Sequence, residues 1–321
     1  MTPGESVTRV EALGRELAVS LEPDRRQILQ DEPVYLSLQV RLVRGESLIL
    51  IEGGDYRNHL GRPESYALTA TDVERGRSLP IRDAGPQLGG VVGGRRISAD
   101  RPFRRRLLLA HWVRFDAAGA YRIAVDKQLR CAEEPWSAAS MRESAAEVRV
   151  QVATKLEVRP SSPAERGAII DEWGGRMLAA DDTAWREADQ ALATIEDDRV
   201  VAYYVRLLQG RGERSFVALK RLCPHATDEA VEALGQALAE PMYRTYELVR
   251  GLGENRHPRA LELLWSLRGD EAANIRLAVL QGLSRRHPAD GGERMRAFLA
   301  DPDPDVREEA RQLLEALASE S

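Results

Sequence analysis

The chain has 321 residues, 43% hydrophobic and 30% charged, with a formal net charge of −5 at pH 7. This is the composition of a globular chain long enough for two cores. It excludes a membrane span, since the longest apolar runs, such as Leu107–Ala110, are far too short; with only Cys131 and Cys223 it also excludes a disulfide framework or a multi-cysteine metal centre.

The charge is unevenly placed. Residues 1–160 carry 25 basic and 22 acidic groups, and residues 161–321 carry 21 and 29. An acidic second half argues against nucleic-acid binding there, which needs many cations against phosphates. Of the 46 basic residues, 43 are arginines, a bias that fits GC-rich codons and is not itself a nucleic-acid signature. The opening MTPGESVTRVEALGREL lacks both the basic and the apolar stretch of a secretory signal. The expected compartment is the cytoplasm; the alternative is an extracytoplasmic site, with a signal peptide absent from this chain.

Up to residue 158 the apolar period is two. In Pro33–Val43, residues Val34, Leu36, Leu38, Val40 and Leu42 fall on one face and Tyr35, Ser37, Gln39 and Arg41 on the other, as in a half-buried strand. Leu17–Leu21, Ser65–Thr71, Ala120–Val125 and Glu147–Val158 alternate likewise, and Ser47–Ile51 and Arg106–Phe115 are more apolar runs. About seven short strands separated by turn residues predict an antiparallel sandwich over residues 1–158. The glycine-rich stretch LGGVVGGRR reads as a loop or hairpin of it, and Trp112 as one of its core aromatics.

Asp116-Ala-Ala-Gly119-Ala-Tyr121-Arg-Ile123 resembles the tyrosine corner of immunoglobulin-like domains, with one extra residue after Asp116 and Ile123 where antibody domains have cysteine. The resemblance implies a disulfide-free Ig-like β-sandwich whose Tyr121 hydroxyl ties the corner to the loop before it. Arg95–Arg114 is the strongest electrostatic feature, with seven arginines against Asp100. Arg95, Arg96, Arg101, Arg104, Arg105 and Arg106 form a candidate patch for an anionic partner. Alternation opposes it, because three consecutive arginines cannot share one sheet face.

After RPSSPAERG the period becomes 3.6, and residues 159–321 read as ten helices joined by short turns. EAANIRLAVLQGL (Glu271–Leu283) and DPDPDVREEARQLLEALA (Asp301–Ala318) repeat one pattern at an offset of 31 residues, pairing Ile275-Arg276 with Val306-Arg307. Ile195, Leu222, Leu252 and Leu283 mark equivalent helix ends, although Arg214 and Thr245 occupy the first aliphatic position in earlier copies. This half resembles HEAT-like repeats of bacterial proteins. That resemblance implies an all-α superhelical solenoid that binds proteins or peptides, and no particular reaction.

No motif carries chemistry. His225, His257 and His287 form a row of turn residues spaced too widely to share an ion, and the prolines after two of them suit helix starts. Cys223-Pro224-His225 lacks the geometry and the third group of an activated thiol. Glu196–Asp198 and Asp301–Asp305 read as helix caps. No catalytic, metal or cofactor site is expected. Tyr203, Tyr204, Tyr243, Tyr246 and Trp265 are the candidate recognition aromatics. The expectation is a non-catalytic scaffold that binds a protein or peptide on the inner solenoid surface or at the domain junction. The alternative is an accessory or regulatory subunit that engages an anionic partner through the arginines.

Overall fold

The computed structural model describes residues 7–53, 66–82, 92–133, 145–179, 182–210, 212–285 and 288–320. Among the described residues ten strands occupy the first part: β1 (Thr8–Ala12), β2 (Arg15–Pro23), β3 (Gln27–Leu29), β4 (Tyr35–Arg44), β5 (Leu48–Gly53), β6 (Ala67–Asp72), β7 (Val92–Ile97), β8 (Phe103–Leu108), β9 (Gly119–Ala132) and β10 (Ala146–Arg159). One sheet is antiparallel in the order β1-β2-β4-β8. The other runs β3-β10-β9-β5-β7, with β6 also on β9, and is mixed because β3 lies parallel to β10. β9 is long enough to take β6 beside Tyr121–Asp126 and β5 beside Arg130–Ala132.

The alternation of β4 holds from Leu36 onward, whereas Tyr35 is buried on the opposite face against Trp173. Leu36, Leu38, Val40 and Leu42 are buried while Arg41 is exposed, and Leu21, Val19 and Leu17 of β2 stand opposite Leu38, Val40 and Leu42. These side chains share one core with Leu48 and Leu50 of β5, Ile123 and Val125 of β9 and Val150 and Val152 of β10. The Tyr121 hydroxyl donates to the Ala117 carbonyl at 2.8 Å, and its ring packs on Phe115 with centroids 4.7 Å apart. Trp112 is buried in the same core.

The expectation of an antiparallel sandwich fails at β3, whose parallel pairing with β10 makes the second sheet mixed, and two further expectations need correction. The run Arg106–Phe115 is not one strand: β8 ends at Leu108 and a 3-10 turn spans Leu109–His111. Leu109, Trp112 and Val113 all reach the core, and their spacing of three and four is helical, so an extended chain would turn one of them outward. The other concerns LGGVVGGRR. Its C-terminal part is β7, with Gly93 and Gly94 paired to Glu52 and Ile51; Leu88–Val91 lie outside the described residues.

Among the described residues ten α-helices follow: α1 (Pro163–Leu178), α2 (Asp182–Leu192), α3 (Val201–Leu208), α4 (Glu213–Leu222), α5 (Asp228–Ala239), α6 (Tyr246–Leu252), α7 (Pro258–Ser266), α8 (Ala273–Ser284), α9 (Pro288–Met295) and α10 (Pro304–Glu320). α1 starts in a capping box: Glu165 accepts from the Ser162 backbone and hydroxyl, while the Ser162 hydroxyl accepts from the Glu165 N–H. Pro163 at the first helical position costs no hydrogen bond. Thr227 and Thr245 cap α5 and α6 with the forward bond alone, their hydroxyls accepting from the Ala230 and Leu248 N–H groups.

The chain divides into two compact units, Met1–Trp173 with Asp189–Ile195 and Gly174–Ala188 with Glu196–Ser321. Within the first, Trp173 lies against Tyr35 with centroids 6.1 Å apart, and Arg25 pairs with Glu172 at 3.0 Å. Within the second, α4, α6, α8 and α10 stack in one layer and α3, α5 and α7 in another, each helix also packing on its chain neighbour. No helix among the described residues is long and apolar enough to cross a membrane.

Candidate functional site

The repeat arginines bind the turns that precede their helices. The Arg276 guanidinium donates to the carbonyls of Asp270 and Glu271 at 2.8 and 3.1 Å, and Arg307 donates to those of Asp301 and Pro302 at 2.7 and 3.0 Å. Arg276 also makes two 2.8 Å bonds to the Asp301 carboxylate, with both side chains buried. Asp301 in turn accepts from the Asp303 N–H. Hydrogen bonds from Arg276 hold the Asp301 carboxyl below the ordinary carboxylate range.

Arg244 repeats this device one unit earlier. It donates to the carbonyls of Leu238 and Ala239 at 2.8 and 3.0 Å, and to the Asp270 carboxylate at 3.2 Å. Sequence reading missed it because Thr245 caps α6, so the arginine stands in the turn before the helix instead of inside it. The signal was its spacing: Arg244, Arg276 and Arg307 each lie six residues after the first carbonyl they bind.

The Arg244–Asp270 pair forms one side of a cleft of about 620 Å³ between the ends of α5 and α7. Leu238, Leu263 and Leu267 give it an apolar floor, Gly235 and Gly269 keep it open, and Arg268 stands on the rim. Arg268 also stacks over Trp265 at 4.7 Å, while Arg294 approaches the same ring at 5.4 Å and Phe298 meets it edge-on. A half-buried tryptophan thus stands one residue before Ser266, which lines the cleft.

The five candidate aromatics do not share one surface. Tyr204 is only 1% exposed and belongs to the core. Tyr203 packs its ring on Gly174, where a β-carbon would come within 2.2 Å. Tyr243 meets Phe216 edge-on at 5.2 Å. Tyr246, on the other layer, hydrogen-bonds Gln281, which continues to Glu309 at 2.9 Å. None of the five lines the cleft, although Tyr243 and Trp265 each precede a lining residue in the chain, Arg244 and Ser266, and Arg268 of the rim stacks on Trp265. The helical periodicity that groups these residues in sequence also places them on different helices and faces.

The six arginines likewise fail to form one patch. β7 and β8 belong to different sheets, joined through the turn at Ser98–Arg101. Arg95 and Arg105 both lie over the Phe103 ring, at 5.7 and 5.9 Å, and flank Glu52 at 3.8 and 3.6 Å. Arg106 pairs with Asp24 at 2.7 Å and covers Tyr35 at 4.6 Å. Arg96 donates to Ser47 at 3.5 Å, and Arg104 stands opposite Gln39. Arg101 lies exposed in the turn.

The histidines are turn residues. His225 pairs with Asp198 at 2.9 Å, and His257 with Asp228 at 3.2 Å while its Nδ1 accepts from the Arg259 N–H. His287 lies outside the described residues. Asn255 holds the intervening turn by donating to the carbonyls of Cys223 and His225. Among the described residues no three His, Cys, Asp or Glu side chains are grouped to hold a metal ion. Asp303 caps α10 by accepting from Asp305 and Val306.

Burial pushes the thiols of Cys131 and Cys223 up to about 12. Thiolate is the reactive form, so neither cysteine reacts with a thiol-specific disulfide reagent in the native chain at pH 8, and both react after unfolding. Rapid native labelling of either would contradict the burial.

The helical unit is a repeat array, and a family model of HEAT repeats matches residues 231–315. Those residues include Arg244, Asp270, Arg276, Asp301 and Arg307. Among solved structures, the complex of CpcE and CpcF of phycocyanin lyase from Nostoc sp. PCC7120 is 22% identical over 46% of this chain and 98% of that chain, with a TM-score of 0.34. A designed armadillo repeat protein is 13% identical over 49% of this chain and 87% of its own, with a TM-score of 0.29. No curated protein matches the chain.

Proposed function

We propose that this protein is a non-catalytic scaffold that binds a protein or peptide through its helical repeats, at the cleft between α5 and α7. The observation that carries this reading is the cleft itself, with a leucine floor and polar Arg244, Asp270 and Arg268 around it. Recognition sites combine an apolar base with a few placed polar groups, and Trp and Arg are the residue types that most often dominate binding energy. The tyrosine corner and the core shared by two sheets support reading residues 1–158 as an immunoglobulin-like sandwich that accompanies the repeats of 159–321.

A peptide library selected on the full chain tests the proposal. Trp265→Ala and Arg268→Glu are expected to weaken selected peptides by about tenfold or more, whereas Tyr246→Ala, on the other layer, leaves them unchanged. Because the floor is apolar, raising the salt concentration should change affinity only a few-fold. Equal losses from Trp265→Ala and Tyr246→Ala would reject the assigned surface.

A further inference from the structure

The six-stranded sheet carries a second cleft on the face turned away from its core. There, outward residues of β6, β9 and β10 stand in three registered rows: Ala67-Asp126-Gln151, Thr69-Ala124-Ala153 and Thr71-Arg122-Lys155. The middle row is small, and a depression of about 680 Å³ lies over it. Thr8 forms one wall, fixed by its hydroxyl donating to the Gln151 carbonyl at 2.6 Å.

The two ends of this cleft differ. At one, Asp126 is already satisfied, accepting from Arg149 at 2.5 to 3.0 Å and from Gln151 at 2.8 Å. At the other, Arg122 and Lys155 stand directly opposite each other across β9 and β10. Both are exposed, and among the described residues neither forms an ion pair within 4.0 Å, even with Glu157 two residues beyond Lys155. Like charges directly opposed across a sheet are destabilising. On the same two strands Arg149 pairs with Asp126 and Arg130 with Glu147, so opposite charges meet at other points of this register. An unmatched cation pair at the end of an open cleft is what an anionic ligand would neutralise.

We propose that this cleft binds a small organic anion with an apolar body. The acid group sits between Arg122 and Lys155, where charge-assisted hydrogen bonds are strongest, and the body lies on the methyl groups of Ala124, Ala153 and Thr69. The volume falls in the range of about 300–1,000 Å³ typical of small-molecule sites. Two cations beside a walled trough suit one acid group; a phosphate polymer needs a longer basic track.

Anilinonaphthalene sulfonate, an aromatic body with one acid, is the probe, titrated by fluorescence into the full chain. The expected result is saturable binding to one site, weakened about tenfold or more in Arg122→Gln/Lys155→Gln, which removes the charges, and in Ala124→Leu, which fills the floor. Ala153→Leu replaces Ala124→Leu if the latter alters the circular dichroism. Neutral phenylnaphthylamine should bind the wild type and the charge variant alike, but not the filled variant. The proposal is overturned if all variants bind the sulfonate as the wild type does, or if losing the charges weakens both probes equally.

Discussion

Asp301→Ala lowers the unfolding free energy of the helical unit by roughly 3–5 kcal/mol, the range for removing one partner of a buried ion pair. The pair is buried on both sides, with Arg276 9% and Asp301 4% exposed at the side chain. Truncating the aspartate leaves a guanidinium that keeps its bonds to the Asp270 and Glu271 carbonyls and loses its counter-charge. Denaturant unfolding followed by the helical circular dichroism signal measures the loss, and a change below about 1 kcal/mol would assign the pair to the surface class. Exchanging the residues, Arg276→Asp with Asp301→Arg, is expected not to rescue, because the carbonyl bonds require the arginine on α8.

The pH dependence follows from the same contact. The Asp301 carboxyl is held below its ordinary value of 3.8, so the folded state binds the proton more weakly than the unfolded chain does. Its contribution is complete above the unfolded value and is lost as pH falls through the lower folded one. Asp301→Asn removes that acid-side dependence while retaining an oxygen for the Asp303 N–H.

Gly253→Ala is expected to destabilise the helical unit by about 3 kcal/mol or more, at or beyond the top of the usual overpacking range. A β-carbon there would lie 2.2 Å from the Gly282 carbonyl oxygen and 2.5 Å from its α-carbon. Both atoms are backbone, so α6 and α8 must separate. Gly253 has a φ of −63°, so its requirement is steric rather than conformational. Gly282→Ala is the control. Its β-carbon would meet side-chain rather than backbone atoms first, the Leu264 methyl groups at 3.0 and 3.1 Å, and the roughly 1 kcal/mol gain of helix propensity offsets part of that crowding. Thermal melts that rank the two variants equally would disprove the close approach of the helices.

Legibility in the sequence tracked the length over which a period could be seen. β4 and β10 were readable because ten or more residues alternate without interruption. β3 has three residues and takes its place from the end of β10, so it leaves no period to detect. β7 contains Gly93 and Gly94, and its partner β5 lies forty residues away. The helices were readable as elements, although α6 starts only at Tyr246, behind the Thr245 cap, and α9 ends at Met295 where a 3-10 turn begins; the cleft was not readable. Leu238, Leu263 and Leu267 follow the spacing of core residues, and only the packing of α5 on α7 leaves a gap above them. Arg122 and Lys155 were equally silent, being unremarkable cations until the register of β9 and β10 set them opposite each other.

The arginine ladder bears on how such a chain can grow. Arg244 reaches an aspartate in the following repeat, Arg276 does the same, and Arg307 grips only its own turn. A gene duplication that copies a whole unit supplies each new cation with its acid. One that begins or ends inside a unit strands a buried charge. Array length can therefore change in steps of one repeat at little cost, while fractional insertions are purged by folding itself.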